Sequence, residues 1–316
     1  MLKEMAKSLE IEEEKLRLCD DRAFGELKAK LDQHVDLFKA IIVSGAIADC
    51  IYSIKEYYDR LPNPKCIPEV HAEEDVRLTL EDCRHPLFSP SAFVPYSVDL
   101  CSAEHSFIIL TGPNMGGKST LLKTVLLAVT MAHIGLPVTA KSASMSFMSK
   151  VVTRLGSGDD IVKGQSTFYK ELDDVKGCLQ TSAPQFVALD EIGRGTSCRD
   201  GYAIARAVME FLKRSRNSIG IVTTHYHNLA HDLAGQKIVP KTFGFTYNTE
   251  NDINFTYKLV DGVSPESFAL NIVRMAGIDR SIIPERSPQE KNNTRSNERK
   301  KAYEISSLCD SVYSIS

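Results

Sequence analysis

The chain has 316 residues, of which 43% are hydrophobic and 25% are charged, which is typical of a soluble globular protein of one or two domains. Its formal net charge of -3 gives no overall basic character, so any contact with nucleic acid must be local or supplied by another part. The eight cysteines are scattered, with no C-x-x-C pair and no histidine at zinc-finger spacing. This excludes a zinc finger and favours free thiols in a reducing compartment.

The N-terminal segment has a helical pattern. Apolar residues recur at steps of three and four between Leu27 and Ala46, and no proline interrupts the segment. We expect two long helices over about Leu2 to Tyr58, joined near Asp20 and Asp21, that form either a packed subdomain or an extended lever. The start lacks the apolar core of a signal peptide, and we expect no run long enough to span a bilayer. The prediction is an intracellular protein without a membrane partner.

Prolines at positions 62, 64 and 68 mark a boundary, after which the helical pattern of the sequence ends. Short strands and turns lead into apolar strands that alternate with helices. The predicted strands are Phe107 to Leu110, Phe186 to Leu189 and Ile219 to Thr223, and the predicted helices are Ser119 to His133, Gly201 to Lys213 and Tyr226 to Leu233. This alternation predicts an α/β fold with a mostly parallel sheet, flanked by helices and with its chemistry at the carboxyl ends of the strands.

The stretch FIILTGPNMGGKST fits the phosphate-binding loop G-x-x-x-x-G-K-[ST] between a strand and a helix. Its residues are Gly112, Pro113, Asn114, Met115, Gly116, Gly117, Lys118, Ser119 and Thr120. Backbone N–H groups and the helix N-terminus can surround phosphate oxygens, Lys118 can neutralise the terminal phosphates, and Ser119 can ligate Mg²⁺. The motif predicts a P-loop NTPase with ATP and Mg²⁺ as ligands. The alternative is a glycine-rich turn that binds nothing.

Polar side chains also end the two later strands. Asp190 can hold Mg²⁺ or its waters, and the adjacent Glu191 can orient and deprotonate the attacking water. His225, at the end of the next strand, can contact the γ-phosphate or that water. An acidic pair at a strand end is otherwise a solvated turn, and a single histidine is otherwise an ordinary surface or core residue. Downstream of a phosphate loop, the pattern favours ATP hydrolysis.

Four segments, TGPNMGGKST, TRLGSGDDIVKGQSTFYKEL, LDEIGRGTS and TTHYHNL, together resemble the ATPase motifs of the MutS family of DNA mismatch-repair proteins. The similarity runs from about Arg84 to Ile278 and is most like the eukaryotic homologues. It implies an ABC-ATPase-like P-loop domain preceded by lever helices. It also implies Mg²⁺-dependent ATP hydrolysis in a dimer, whose composite nucleotide sites are coupled to the state of a DNA clamp.

The resemblance assigns further residues. Ser166 matches the serine that reaches the partner's γ-phosphate in the family, beside Lys118, Glu191 and His225 as catalytic residues. From the residues alone, Ser166 or its neighbour is only a cap of an amphipathic helix that carries Glu171. Phe93 and Tyr257 match positions whose rings sandwich adenine in the family, and either is otherwise a core residue.

The resemblance also divides the chain into a helical lever remnant over 1-70, an ATPase domain over 76-284 and a polar tail over 285-316 that we expect to be disordered. Ala269 stands where the family usually has glycine, and the mismatch-binding and connector domains have no counterpart. The expectation is a fragment or a reduced homologue.

The implied partners are another MutS-family subunit, mismatched double-stranded DNA through the full assembly, and a MutL-type protein. The implied location is the nucleus in a eukaryote, or the cytoplasm and nucleoid in a prokaryote. Two alternatives stay open. A structural paralogue without hydrolysis is disfavoured by the intact Glu191 and Lys118. An ABC transporter ATPase should carry an LSGGQ-type signature where STFYKEL stands.

Overall fold

The computed structural model describes residues 2–89, 91, 93–113, 116–156, 167–180, 182–247 and 253–264. The chain divides into two compact units, one ending at Arg60 and the other beginning at Leu61. The first unit consists of helices α1 (Leu2–Asp32) and α2 (Val35–Arg60). The predicted junction near Asp20 and Asp21 is wrong, because α1 runs through both residues. Aspartate costs only a fraction of a kcal/mol in a helix interior, so it does not by itself end a helix.

Helix α2 also corrects a prediction about membranes. Among the described residues it is long and apolar enough to cross a bilayer, so the expectation that no run is long enough is wrong. None of its residues is buried within the structure. Length and composition do not assign a membrane segment by themselves, because the apolar helices of water-soluble proteins can meet the same criteria.

The second unit contains ten strands and four helices among the described residues. In chain order they are β1 (Glu69–His71), β2 (Arg77–Cys83), β3 (Tyr96–Cys101), β4 (Phe107–Leu110), α3 (Lys118–His133), β5 (Ser142–Ser146), β6 (Lys150–Arg154), α4 (Thr167–Leu179), β7 (Gln185–Asp190), α5 (Cys198–Leu212), β8 (Ser218–Thr223), α6 (His227–Leu233), β9 (Ile238–Tyr247) and β10 (Ile253–Asp261). This is the mixed α/β structure that the sequence predicts.

The strands form two sheets. The smaller has the order β1-β5-β2-β3 and is antiparallel except where β1 pairs with β5. The larger has the order β10-β9-β4-β8-β7-β6 and is parallel except where β10 pairs with β9. The three predicted strands are β4, β7 and β8, which are adjacent in this sheet. Their carboxyl ends therefore meet at one edge.

The core explains why these strands read as continuous apolar runs. Every residue of β4 and β8 is buried, and in β7 only the terminal Asp190 is not. Helix α5 packs Tyr202, Met209 and Leu212 into this core. Ser197 caps α5, since its hydroxyl accepts a hydrogen bond from the Asp200 amide at 3.2 Å. A parallel sheet covered by helices buries both faces of its central strands, so their sequences do not alternate.

Candidate functional site

The ends of β4, β7 and β8 bring the phosphate loop to an acidic residue. Ser119, in the first turn of α3 together with Thr120, donates a hydrogen bond from Oγ to Asp190 Oδ2 at 3.0 Å. The other carboxylate oxygen, Oδ1, accepts a hydrogen bond from the hydroxyl of Thr223 at the end of β8. The aspartate is therefore fixed from two directions, with its carboxylate at the start of α3.

The lysine of the loop is buried. Lys118 is 2% exposed, and its Nζ donates a hydrogen bond to the Gly112 carbonyl at 2.6 Å, across the base of the loop. Burial lowers the pKa of Lys118, while Glu191 and Asp190 oppose that shift. In such a shielded position the attraction between the ammonium group and an anion is stronger than in water.

The loop itself turns through two glycines. Gly112 and Gly117 have φ of 137° and 97°, in the range that side chains rarely adopt. Gly117 immediately precedes α3, and the Gly116 amide donates a hydrogen bond to the Pro113 carbonyl at 3.0 Å. The N–H groups at the start of α3 have no partner within the helix, which makes this end suited to an anion.

Glu191 and His225 lie together at the ends of adjacent strands. The Nε2 atom of His225 and the Oε1 atom of Glu191 are 2.5 Å apart, so the imidazole N–H donates to the carboxylate. Arg194 donates from Nη1 to Glu191 Oε2 at 2.7 Å. The Glu191 amide donates to the carbonyl and the hydroxyl of Thr223, at 3.1 Å and 3.2 Å.

These contacts set the protonation of the glutamate. The hydrogen bond from His225 lowers the pKa of Glu191, against the opposing effect of burial, and the charges of His225, Arg194 and Lys118 lower it further. The side chain of Glu191 is 13% exposed, whereas that of His225 is 42% exposed. Glu191 is therefore an ionised carboxylate near neutral pH, with a hydrogen bond to each of its two oxygens.

Three aromatic side chains lie near Gly117, just before α3. A Cβ atom at Gly117 would lie 3.5 to 3.7 Å from Tyr257, Tyr96 and Phe243, so these three rings line the start of α3. Tyr257 is 43% exposed. Phe93 is buried and packs against Tyr96, with ring centroids 5.2 Å apart. The structure thus places the two rings predicted to bind adenine in different surroundings, one exposed and one in the core.

Three predicted site residues lie outside the described part of the chain, namely Asn114, Met115 and Ser166. Ala269 and the predicted tail over 285-316 do so as well. Among the described residues, no group of three or more His, Cys, Asp or Glu side chains could hold a metal ion. A metal at this edge would need other ligands besides Asp190.

Sequence reasoning missed two contributors. Thr223 was predicted only as the end of a strand, yet it binds both Asp190 and Glu191. Arg194 was quoted within the LDEIGRGTS segment without a role, and it pairs with Glu191. The available signal for Thr223 was its position as the last residue of a buried strand beside β7.

Comparison with known proteins identifies the family. The family model for MutS domain V matches residues 108–293. The DNA mismatch repair protein MutS of Clostridium kluyveri is 34% identical over 291 residues, which cover 89% of this chain and 33% of that protein. The msh3 mismatch repair protein of Aspergillus terreus is 32% identical over 280 residues, which cover 85% of this chain and 25% of that protein.

The MutS protein of Methanococcoides burtonii is similar in the same way, at 32% identity over 85% of this chain and 31% of its own length. The chain thus spans about a third or less of the length of these relatives. The family model covers more than half of the chain and begins within β4, the strand that leads into the phosphate loop. The chain belongs to the MutS family of DNA mismatch repair proteins.

Proposed function

We propose that this chain binds and hydrolyses ATP with Mg²⁺, as the P-loop ATPase domain, of the ABC-ATPase type, of a MutS-like protein. The observation that carries the proposal is the hydrogen bond between Ser119 and Asp190, beside the paired Glu191 and His225. A phosphate loop, a metal-binding pair and a base then occupy one edge of a sheet. No comparable observation favours the alternative, a structural paralogue that does not hydrolyse ATP.

The loop and α3 would hold the phosphates through backbone N–H groups, with Lys118 neutralising the terminal charge. Ser119 and Asp190 would hold Mg²⁺ directly or through water, and the triphosphate and water would supply its remaining oxygen ligands. When bound, Mg²⁺ neutralises charge on the phosphate oxygens. Tyr257 and Phe93 are the proposed adenine contacts, of which the exposed Tyr257 needs no rearrangement of the core.

Glu191 is the proposed general base. Its lowered pKa keeps it ionised at neutral pH, so that it can accept a proton from the water that attacks the γ-phosphate. His225 donates to one carboxylate oxygen and Arg194 to the other, which fixes the carboxylate plane. His225 is also exposed enough to contact the γ-phosphate or the attacking water.

The wider assembly follows from the family. We propose a homo- or heterodimer with another MutS-family subunit, in which Ser166 completes the partner's nucleotide site and the clamp state of DNA responds to ATP. Mismatched DNA would be bound by the full assembly, since the net charge of -3 gives this chain no overall basic character. A MutL-type protein is a further proposed partner. No membrane is proposed as a partner. The proposed location is the nucleus in a eukaryote, or the cytoplasm and nucleoid in a prokaryote.

The test separates nucleotide binding from turnover. Lys118→Ala should weaken ATP binding, because it removes the charge that faces the terminal phosphates. Glu191→Gln should leave binding intact and slow hydrolysis by about 10²-fold or more, the scale expected for loss of a positioned base. Fluorescent-nucleotide affinity and phosphate release measured on both variants check this.

Matched controls are Lys141→Ala and Glu81→Gln, which remove the members of an exposed ion pair between β2 and the residue just before β5. Both should bind and hydrolyse ATP like the unmodified chain. If Glu191→Gln turns over ATP at the unmodified rate, Glu191 is not the base. If the unmodified chain binds no ATP at all, the proposed function is wrong.

A further inference from the structure

A buried ion pair lies next to the proposed base without belonging to the nucleotide site. Arg154, at the end of β6, and Glu171, in α4, are 3.3 Å apart between Nη2 and Oε2, with side chains 7% and 1% exposed. Removing two charges from water costs several kcal/mol, which is offset only when additional hydrogen bonds satisfy both groups. The partners that provide those hydrogen bonds indicate what the pair does.

Both partners bind the backbone on either side of Glu191. Arg154 Nη1 donates to the carbonyl of Asp190, the residue immediately before Glu191, at 2.6 Å. The carboxylate of Glu171 accepts hydrogen bonds from the amides of Gly193 and Gly195, the latter at 3.3 Å. The ion pair therefore holds the polypeptide from both ends of the short segment that carries the proposed base.

The segment after Glu191 is also packed against two helices. A Cβ atom at Gly193 would lie 2.4 Å from the Gly201 carbonyl oxygen in α5, and one at Gly195 would lie 3.0 Å from Phe168 Cα in α4. The Tyr226 hydroxyl donates to the Gly193 carbonyl at 2.9 Å. The backbone thus approaches α4 so closely that the Glu171 carboxylate can reach two N–H donors, those of Gly193 and Gly195.

We propose that Glu171, paired with Arg154, is a positioning residue for hydrolysis. By binding the amides of Gly193 and Gly195, the Glu171 carboxylate fixes the segment that aims Glu191 at the attacking water. The inference rests on the proposed function and adds a residue whose described partners are Arg154, Gly193 and Gly195. A neutral amide at position 171 keeps the shape of the side chain but loses the ion pair and the charge-assisted hydrogen bonds.

The experiment compares Glu171→Gln with the unmodified full chain. Hydrolysis should fall by about 10²-fold, the scale for a catalytic group displaced by about 1 Å, while the Kd for nucleotide stays within about twofold. Amide exchange in residues 191–197 should become faster by about tenfold or more, because the Gly193 and Gly195 amides lose a charged acceptor. Exchange in the middle of α5 should not change.

Glu210→Gln is the matched control, since Glu210 of α5 pairs with Lys213, the C-cap of that helix, and should leave both readouts unchanged. The double variant Arg154→Gln/Glu171→Gln separates positioning from folding, because it removes both buried charges. It should recover thermal stability relative to Glu171→Gln but not the hydrolysis rate. Recovery of the full rate by this double variant would overturn the proposal and leave the pair a purely structural role.

The two readouts also distinguish this inference from the proposed function. Unchanged exchange over 191–197 in Glu171→Gln would refute the positioning role, whatever the chain hydrolyses. An unmodified chain that hydrolyses no ATP would refute the proposed function. Hydrolysis by Glu171→Gln at the unmodified rate, in a protein where Glu191→Gln is slow, would refute the positioning role alone.

Discussion

Glu191 adopts a backbone conformation that residues with a Cβ atom seldom adopt. Its φ is 57°, and Tyr257 has a φ of 55°. Only one other described residue besides glycine, Asp82, has a positive φ. Each such conformation costs about 1 kcal/mol or more, so it persists only where neighbouring contacts hold it. Two of the three strained positions are thus residues proposed to contact ATP or its attacking water.

For Glu191, the contacts that hold the strained backbone are known. Its amide donates to Thr223, and its side chain lies between His225 and Arg194. The side chain meets His225, two residues beyond the end of β8. The strained residue is thus the proposed base itself, whose Oε1 atom lies 2.5 Å from His225 Nε2.

Gly193 is the residue whose replacement should disturb this turn most directly. Its φ is 85°, and a Cβ atom would lie 2.4 Å from the backbone of Gly201. Gly193→Ala should therefore destabilise the protein by about 2–4 kcal/mol and reduce hydrolysis. Urea unfolding and phosphate release would measure the two effects.

Gly235→Ala is the matched control, because a Cβ atom there meets nothing within 4 Å. Its free energy of unfolding should change by less than about 1 kcal/mol. Equal stability of the two alanine variants would show that the close approach between Gly193 and Gly201 does not constrain the native backbone.

Several residues of this site could be predicted from sequence, because they belong to short motifs of neighbouring residues. A phosphate loop can be recognised from glycines, a lysine and a hydroxyl residue at fixed spacing. Polar residues that end apolar parallel strands must lie together at the carboxyl ends of the sheet. Arg154 and Glu171 could not be predicted as a pair. Their contact depends on how α4 packs beside β6 and β7. The spacing of residues along the chain does not reveal that packing.

At the level of elements, a buried tyrosine connects α5 with α6. The Tyr202 hydroxyl lies 2.5 Å from Asp232 Oδ2, which also accepts from Arg206 at 3.3 Å. Burial and the Asp232 carboxylate raise the pKa of Tyr202 above its usual range, so the hydroxyl remains a donor. The ring packs edge-on against Tyr226, whose hydroxyl binds the Gly193 carbonyl. The two helices thus support the segment after Glu191.

Tyr202→Phe should test this connection. The substitution keeps the ring but removes the donor to Asp232, so the free energy of unfolding should fall by about 1–3 kcal/mol. Tyr52→Phe removes an exposed hydroxyl that donates to Glu56 on α2, and should change stability by less than about 0.5 kcal/mol. Denaturant unfolding of both variants gives the comparison. If Tyr202→Phe costs no more than Tyr52→Phe, the buried hydrogen bond does not stabilise the helix pair.

Some strands could be predicted from the sequence and others could not. Strands β4, β7 and β8 are buried on both faces, so their apolar runs are distinctive. Strands β9 and β10 were not predicted, because β10 alternates irregularly and its register with β9 shifts between Phe255 and Leu259. The order of strands in the sheet also had to come from the structure, since periodicity reports burial and not pairing.

For the whole molecule, the main prediction is that hydrolysis needs two chains. Asp190, Glu191 and His225 lie at the ends of adjacent strands, with Lys118 at the start of α3, so all four would approach a bound nucleotide from the same side. A hydrolase must also position and desolvate the γ-phosphate on the opposite side, which we propose Ser166 of a partner does. ATP would then favour association, because it binds the dimer better than the monomer.

Specific ATPase activity should therefore rise with protein concentration, and sedimentation with ATP should show a larger species. Mixing Ser166→Ala chains with Glu191→Gln chains should restore part of the activity. One of the two composite sites then combines an intact Glu191 with an intact Ser166. Turnover that is independent of concentration, by a species that stays monomeric in ATP, would contradict the dimer.

The strand order has a consequence for the time at which the site can form during synthesis. Strand β4 pairs on both sides with strands from much later in the chain, β8 and β9, and Thr111 just beyond it bonds to Lys241, 130 residues further on. At typical translation rates, those residues leave the ribosome roughly 10 s after the phosphate loop. Until β8 and β9 have been synthesised, β4 and the phosphate loop that follows it have no sheet partners. The phosphate loop is therefore made early but assembled late, and the apolar strand β4 stays without its sheet partners for that interval.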